Sequence, residues 1–374
     1  MRYSEFGNTG IKISAIGFGC MRLPMVTANG KSAIEQEKVE MMLKRAYELG
    51  VNYFDTAYFY NDGQSEVAVG KALKDIRHKV YLSTKSPGHL VKKPGDYTRI
   101  LEEQLSKLDT EYIDFYHFHG IGYENFLETD KSSNWLNEAI RAKEQGLIRH
   151  ISFSFHDDPE AMKKLIDKGC FESVLCQYSA IDRKNEESIA YAREKGIGVA
   201  VMGPLGGGRV SGLPREVAEK NGVKVKNGVE LALRFVLANP NINCALSGME
   251  TLEMVEENCA IASNSEPLTP DEVAAINELM SENQRLSELY CTGCNYCMPC
   301  PQQVNIPHIF RMRNYHRIYK IEQYAKKGYA EIGTNQWVQG MRADACTECG
   351  LCETKCPQKI KIREQLKESH SVLA

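Results

Sequence analysis

Two runs of cysteine carry the densest chemistry in this chain of 374 residues. Cys291, Cys294, Cys297 and Cys300 follow the spacing C-x2-C-x2-C-x2-C-P, and Cys346, Cys349, Cys352 and Cys356 follow C-x2-C-x2-C-x3-C-P. Thiolates two residues apart on tight turns can surround one cubane of iron and sulfide, while the cysteine before the proline reaches away to a second cubane. The spacing therefore pairs Cys291, Cys294 and Cys297 with Cys356, and Cys346, Cys349 and Cys352 with Cys300, for two [4Fe-4S] clusters. This crossing would close the 45 residues between Cys300 and Cys346 into a compact module. Zinc is the competing occupant, since two C-x2-C pairs already make a tetrahedral thiolate site. Two quartets that each end in Cys-Pro go beyond what zinc needs. The other five cysteines, Cys20, Cys170, Cys176, Cys244 and Cys259, stand singly among apolar neighbours and read as small buried hydrophobes.

A second set of reactive groups is spread along the chain. Asp55, Lys85, His119, Ser154 and Gln177 each stand near the C-terminal end of a different short run rich in β-branched and aromatic residues. Eight such runs occur, at 13–19, 51–57, 80–86, 112–119, 150–156, 174–180, 197–203 and 242–248. Longer stretches of helical period separate them. In the first, from 34 to 50, Val39, Met42, Leu43, Ala46 and Leu49 fall three and four apart on one face before Gly50 stops the helix. Eight βα units in about 260 residues favour a closed (β/α)8 TIM barrel over a doubly wound sheet. Barrel enzymes build their sites at the C-terminal ends of the strands, where these five polar groups converge. In a buried core, unpaired groups of this kind would be costly. A dinucleotide-binding sheet fits poorly, because Gly17-Phe18-Gly19 lacks the third glycine of the fingerprint and Gly206-Gly207-Gly208 comes only after the seventh strand.

Composition narrows the partners. Lysine and arginine number 46 against 49 aspartates and glutamates, a net charge of -3, so the excess positive field that nucleic acid or an anionic membrane needs is missing. The first ten residues lack the apolar core of a signal peptide and no apolar run reaches membrane-spanning length, so the chain is expected to be soluble and cytoplasmic. Thirteen cysteines in a reducing compartment point to metal or redox ligands and not to disulfides. Pro267 and Pro270 punctuate the passage out of the barrel. The expected organisation is a barrel over 1–285 and a small, mainly helical dicluster domain over 286–374, with 306–328 reading as one helix.

FDTAYFYNDGQSEVAVGKAL (54–73), STK (83–85) and YIDFYHFHG (112–120) together resemble the aldo-keto reductase family, over most of residues 1–265. CTGCNYCMPCP and ACTECGLCETKCPQ, the second of bacterial ferredoxin pattern, extend the likeness to a subgroup with a C-terminal two-cluster module. The resemblance implies a catalytic tetrad of Asp55, Tyr60, Lys85 and His119. Tyr60 would be the general acid, Lys85 would favour its phenolate, Asp55 would hold Lys85, and His119 would orient the substrate oxygen. It also implies NAD(P)H. Ser154 and Gln177 match contacts to the nicotinamide carboxamide, with Phe155 where an asparagine usually follows the serine. Met202 stands where an aromatic ring often stacks. Pro204, Leu205, Gly206 and Arg209 resemble the loop over the pyrophosphate, and Gly248, Glu257 and Asn258 the adenine contacts. Glu250 and Met254 stand where many relatives carry basic residues for a 2'-phosphate, so NADH and NADPH are equally open. The expected activity is hydride transfer between nicotinamide and a carbonyl or alcohol. A nucleotide-binding redox sensor or electron-transfer subunit is the alternative, and a redox protein is the one further partner left open.

Overall fold

The structure is a computed structural model, and it describes residues 1–374 except 29–30, 181, 206–223, 265, 267, 275, 278–296, 318–320, 336–337 and 357–359. The described chain divides into two compact units, Met1–Pro204 with Ala232–Pro267, and Leu205–Leu231 with Leu268–Ala374. The boundary expected near 285 falls outside the described residues.

The first unit opens with an antiparallel hairpin of β1 (Tyr3–Glu5) and β2 (Lys12–Ser14), followed by β3 (Ile16–Gly19) and a second hairpin of β4 (Met25–Ala28) and β5 (Lys31–Ile34). Next come β6 (Tyr53–Asp55), β7 (Tyr81–Ser86), β8 (Ile113–Ile121), β9 (Ile148–Phe155), β10 (Ser173–Gln177), β11 (Gly198–Met202) and β12 (Cys244–Ser247). Strands β3 and β6 to β12 pair in parallel, each with the next, and close into a barrel of eight. All eight expected strands are present, but the run 13–19 is divided, and only Ile16–Gly19 enters the barrel. The break has a local cause. Ser14 Oγ donates to the Ile16 carbonyl at 2.7 Å, and Asn52 Oδ1 takes the Ser14 N–H at 2.8 Å, which diverts the backbone from the ladder.

Helices follow the strands: α1 (Gln36–Glu48), α2 (Ser65–Leu73), α3 (Asp96–Lys107), α4 (Tyr123–Ser133), α5 (Trp135–Glu144), α6 (Pro159–Ile166) and α7 (Glu186–Glu194), then Gly228–Ala238 and Leu252–Asn264. In α1 Val39, Met42, Leu43 and Ala46 are buried, the stripe that the spacing predicts. Each large side chain of that stripe contributes roughly 1.5–3 kcal/mol. Gly50 ends the helix at φ +96°, a conformation that costs glycine little. Inside the barrel, Phe6 from the β1–β2 turn packs edge-on against Phe115 at 5.0 Å, beside Tyr53, Leu175 and Ala200. The barrel is therefore a filled core whose chemistry must sit at its mouth.

In the second unit the helices Ile306–Arg317, Glu322–Ala330 and Ile362–Leu373 enclose a core that includes Ile309, Phe310, Tyr329 and Leu366. The stretch 306–328 is thus two helices and not one. The Ile321 N–H bonds back to the Tyr315 carbonyl at 2.9 Å, six positions earlier and so outside the i→i−4 helical ladder, and Ile321 itself is not helical. No helix among the described residues is long and apolar enough to cross a membrane.

Candidate functional site

β6 ends at Asp55, and β7 carries Ser83 and Lys85 two residues apart, hence on one face. Lys85 Nζ donates to Asp55 Oδ1 and to the Thr56 carbonyl, both at 2.6 Å, and Ser83 Oγ donates to Asp55 Oδ2 at 2.6 Å. Lys85 is 1% exposed and Asp55 3%. Burial alone would pull the lysine pKa down, but Asp55 and Tyr60 outweigh it and the net shift is upward. Lys85 therefore stays charged in the barrel.

After β6 the chain returns Tyr60 to the same place, with Lys85 Nζ 4.8 Å from the centre of its ring. Burial raises the pKa of Tyr60, and Lys85 lowers it by less. The pull toward phenolate expected of Lys85 is present, but it is exceeded by desolvation. Tyr58 turns elsewhere: its hydroxyl lies 2.9 and 3.0 Å from the two Glu103 carboxylate oxygens, with Lys107 4.0 Å above its ring.

His117 and His119 follow in alternation on β8. His117, level with Lys85 in the β7–β8 register, is buried with Nε2 3.5 Å from the Tyr53 hydroxyl, and burial holds its pKa well below the usual range. His119 lies edge-on to Tyr60, ring centres 6.5 Å apart, and lines a cavity of about 1110 Å3, its open mouth included. Burial, then Lys85, His156 and His89, push its pKa down to about 3, so at neutral pH His119 is an uncharged imidazole. Phe59, His89 and Asn125 line the same cavity, with the Phe59 and His89 rings stacked at 5.1 Å.

The residues expected to hold a cofactor occupy neighbouring strand ends. Ser154, 1% exposed at the end of β9, accepts the Gly120 N–H at 2.7 Å, which leaves its own proton free of an acceptor among the described residues. Gln177 ends β10 beneath Gly203, whose φ is +65° and where a Cβ would come within 2.3 Å of Gln177 Nε2. Its side-chain amide is likewise unpaired among the described residues. A free hydroxyl donor beside a free primary amide fits a carboxamide ligand. Met202, half-buried, is the register partner of Gln177, while Pro204 is buried and Leu205 half-buried. Gly206 and Arg209 lie outside the described residues. Gly248 and Glu257 are exposed, and Asn258 is buried with Nδ2 donating to Ser247 Oγ at 3.0 Å. Glu250 and Met254 are exposed.

In the second unit Cys300, Cys346, Cys349 and Cys352 line one cavity of about 410 Å3, mouth included, together with Cys297. Glu348 at φ +58° and Gly350 at φ +77° turn the chain between these thiols, and the Glu348 N–H points to Cys346 Sγ at 3.4 Å. Lys355 and Arg363 line the same cavity, a setting that favours an anionic occupant. Cys356 is half-buried against the helical core. Cys291 and Cys294 lie outside the described residues. Among the described residues no group of three or more His, Cys, Asp or Glu is placed to hold a single metal ion.

Two contributors escaped the sequence reading. Ser83 could have been found, because it stands two before Lys85 on the same strand face. The bond from Gly120 to Ser154 had no signal in the pattern.

Comparison with known proteins agrees with this geometry. Residues 15–281 match the aldo/keto reductase family, and residues 290–360 match a 4Fe-4S dicluster domain. The chain belongs to the aldo/keto reductase family, is an oxidoreductase, and carries a C-terminal 4Fe-4S dicluster domain. It is 29% identical over 309 residues to the uncharacterised oxidoreductase YqkF of Bacillus subtilis, covering 74% of this chain and 95% of that protein. It is also 29% identical over 308 residues to the NADH-specific methylglyoxal reductase of Escherichia coli, covering 70% and 93%. Among solved structures, the holo form of the aldo-keto reductase AKR11C1 of Bacillus halodurans superposes with a TM-score of 0.64 at 26% identity, covering 74% of this chain and 96% of that one.

Proposed function

We propose that the barrel moves hydride between NADH or NADPH and a small-molecule carbonyl or alcohol, with Asp55, Tyr60, Lys85 and His119 as its catalytic residues. The observation that carries this reading is a buried, charged Lys85 held by Asp55 at 2.6 Å against the ring of Tyr60, with His119 facing that ring from the substrate cavity. Bound reduced nicotinamide would supply the hydride to the carbonyl carbon. Tyr60 donates its hydroxyl proton to the carbonyl oxygen as negative charge grows there. Lys85 stabilises the phenolate that Tyr60 leaves, and Asp55 and Ser83 hold the lysine in place. His119, uncharged, offers a ring N–H to the same oxygen and thereby orients the substrate.

The free donor of Ser154 and the amide of Gln177 suit the nicotinamide carboxamide, and Met202 the ring face. Pro204, Leu205, Gly206 and Arg209 are assigned to the pyrophosphate, and Gly248, Glu257 and Asn258 to the adenine end. The E. coli relative makes methylglyoxal with NADH the first pair to assay. In the tail we assign one [4Fe-4S] cluster to Cys300, Cys346, Cys349 and Cys352, which share a cavity that Cys297 also lines, and, by the cysteine spacing, a second to Cys291, Cys294, Cys297 and Cys356. The domain boundary is placed near residue 285, and a reducing cytoplasm suits eight cluster thiolates.

Tyr60→Phe tests the reading. It is expected to lower kcat by about 10²- to 10⁴-fold, the loss typical of a missing general acid, with nicotinamide affinity nearly intact. A silent Tyr60→Phe with a damaging Tyr58→Phe would overturn it.

A further inference from the structure

His119 needs a fixed direction, yet its ring nitrogens have no hydrogen-bond partner among the described residues. Its orientation must therefore come from packing and from the backbone that carries it. That backbone is irregular. Phe118 of β8 is the register partner of Phe153 on β9, and Ile121 is the partner of Phe155, so β8 takes three steps where β9 takes two. The extra residue is a β-bulge, and His119 and Gly120 together stand opposite Ser154 alone. Gly120 lies at φ +62°, the left-handed conformation that glycine adopts most easily at such a bulge. A bulge leaves a ladder group without its regular partner. Here the Gly120 N–H is taken by Ser154 Oγ at 2.7 Å, so a buried side chain replaces the missing backbone acceptor.

We infer that Ser154 is a positioning residue for His119, acting through the His119–Gly120 peptide that it holds in place. This inference rests on the reading of His119 as a catalytic residue. It gives Ser154 a task separate from any contact with a cofactor: the lone pairs of its oxygen fix the bulge, while its proton remains to be donated to the carboxamide. One hydroxyl would then tie the seat of the nicotinamide to the group that orients the substrate oxygen, so that both stay in register.

Gly120 allows the two tasks to be separated. A Cβ there would meet no atom closer than His156 Cδ2 at 3.7 Å, so Gly120→Ala perturbs the bulge through its φ and not through a clash. The experiment measures kcat with methylglyoxal and NADH, together with the NADH Kd by fluorescence titration, in holoprotein carrying Ser154→Ala, Ser154→Thr, Gly120→Ala or Tyr60→Phe. Both Ser154→Ala and Gly120→Ala should lower kcat by roughly 10- to 100-fold, the scale of a small misplacement of a catalytic group. Gly120→Ala should leave the NADH Kd within about twofold, and Ser154→Thr, which keeps the oxygen, should restore most of kcat. If Gly120→Ala keeps wild-type kcat, or Ser154→Ala weakens only NADH binding, Ser154 is a cofactor contact alone and the inference fails. A silent Tyr60→Phe would instead remove the reading of the site itself, and the inference with it. Because Gly120→Ala leaves the Ser154 side chain in place, the test survives should Ser154→Ala fail to fold.

Discussion

At the residue scale the site keeps one ion pair, Lys85 with Asp55, inside a low-dielectric barrel, with Tyr60 and His119 uncharged beside it. Lys85 holds its proton because Asp55 is 2.6 Å away, and His119 loses its proton at about pH 3 because burial and that same lysine disfavour a second cation. These shifts predict the pH profile of carbonyl reduction. His119 is already neutral throughout the neutral range, so no acidic limb from it should appear near the usual histidine value of about 6.5. In its proposed role as acid Tyr60 must be protonated, and its pKa is raised, so the rate should fall only at alkaline pH, above the ordinary tyrosine value of about 10. A kcat profile from pH 5 to 11 checks this, and a half-loss near pH 6.5 would contradict it. Much of the site was legible in the sequence. Asp55, Lys85 and His119 stood out by their strand-end positions and Tyr60 through the family resemblance, and the fold does bring these four side chains together. What the pattern could not convey was the balance of burial against charge at Tyr60, which depends on how deeply the chain returns after β6.

At the scale of elements, period-two runs and amphipathic stretches defined the eight barrel strands and α1 because burial on one face is a strong, repeated signal. The elements they missed are short. Strands β1 and β2 are three residues each and β4 and β5 four each, too brief for a periodicity to emerge, although Asn29-Gly30 between β4 and β5 is a hairpin signal that went unread. The bulge in β8 was invisible for a different reason, since an inserted residue is defined by its partner strand and not by its own sequence. Partly buried polar links between elements make another prediction. Glu172, just before β10, receives the Ile151 N–H at 3.0 Å and pairs with Lys143 at 2.7 Å and His150 at 2.9 Å. Burial pushes its pKa up, but these partners outweigh burial and hold it at about 2. A carboxylate depressed in the fold stabilises above its unfolded value of about 4.3 and loses that contribution as pH falls toward 2. Glu172→Gln should therefore cost about 1–3 kcal/mol in urea unfolding at pH 7 and almost nothing near pH 2. An equal cost at both pH values would show that the charge is immaterial.

At the scale of the whole molecule, an aldo/keto reductase barrel shares its chain with a 4Fe-4S dicluster domain. If both cysteine quartets are filled as assigned, anaerobically purified protein should contain about eight iron and eight labile sulfide per chain. Stoichiometric zinc without sulfide would contradict the assignment. Clusters pass electrons singly and nicotinamide gives up a pair as hydride, so the tail has no necessary place in simple carbonyl reduction. The measurement that tests direct transfer most simply follows an isotope. Anaerobic protein is given an aldehyde and reduced nicotinamide deuterated at the transferring position, and the alcohol is analysed by mass spectrometry. Direct transfer beside Tyr60 predicts one deuterium on the carbinol carbon of every product molecule, with the Tyr60→Phe protein all but inactive. Product carrying solvent hydrogen at that carbon, with the label washed into water, would mean that electrons travel through another carrier and would contradict the assignment of the barrel site.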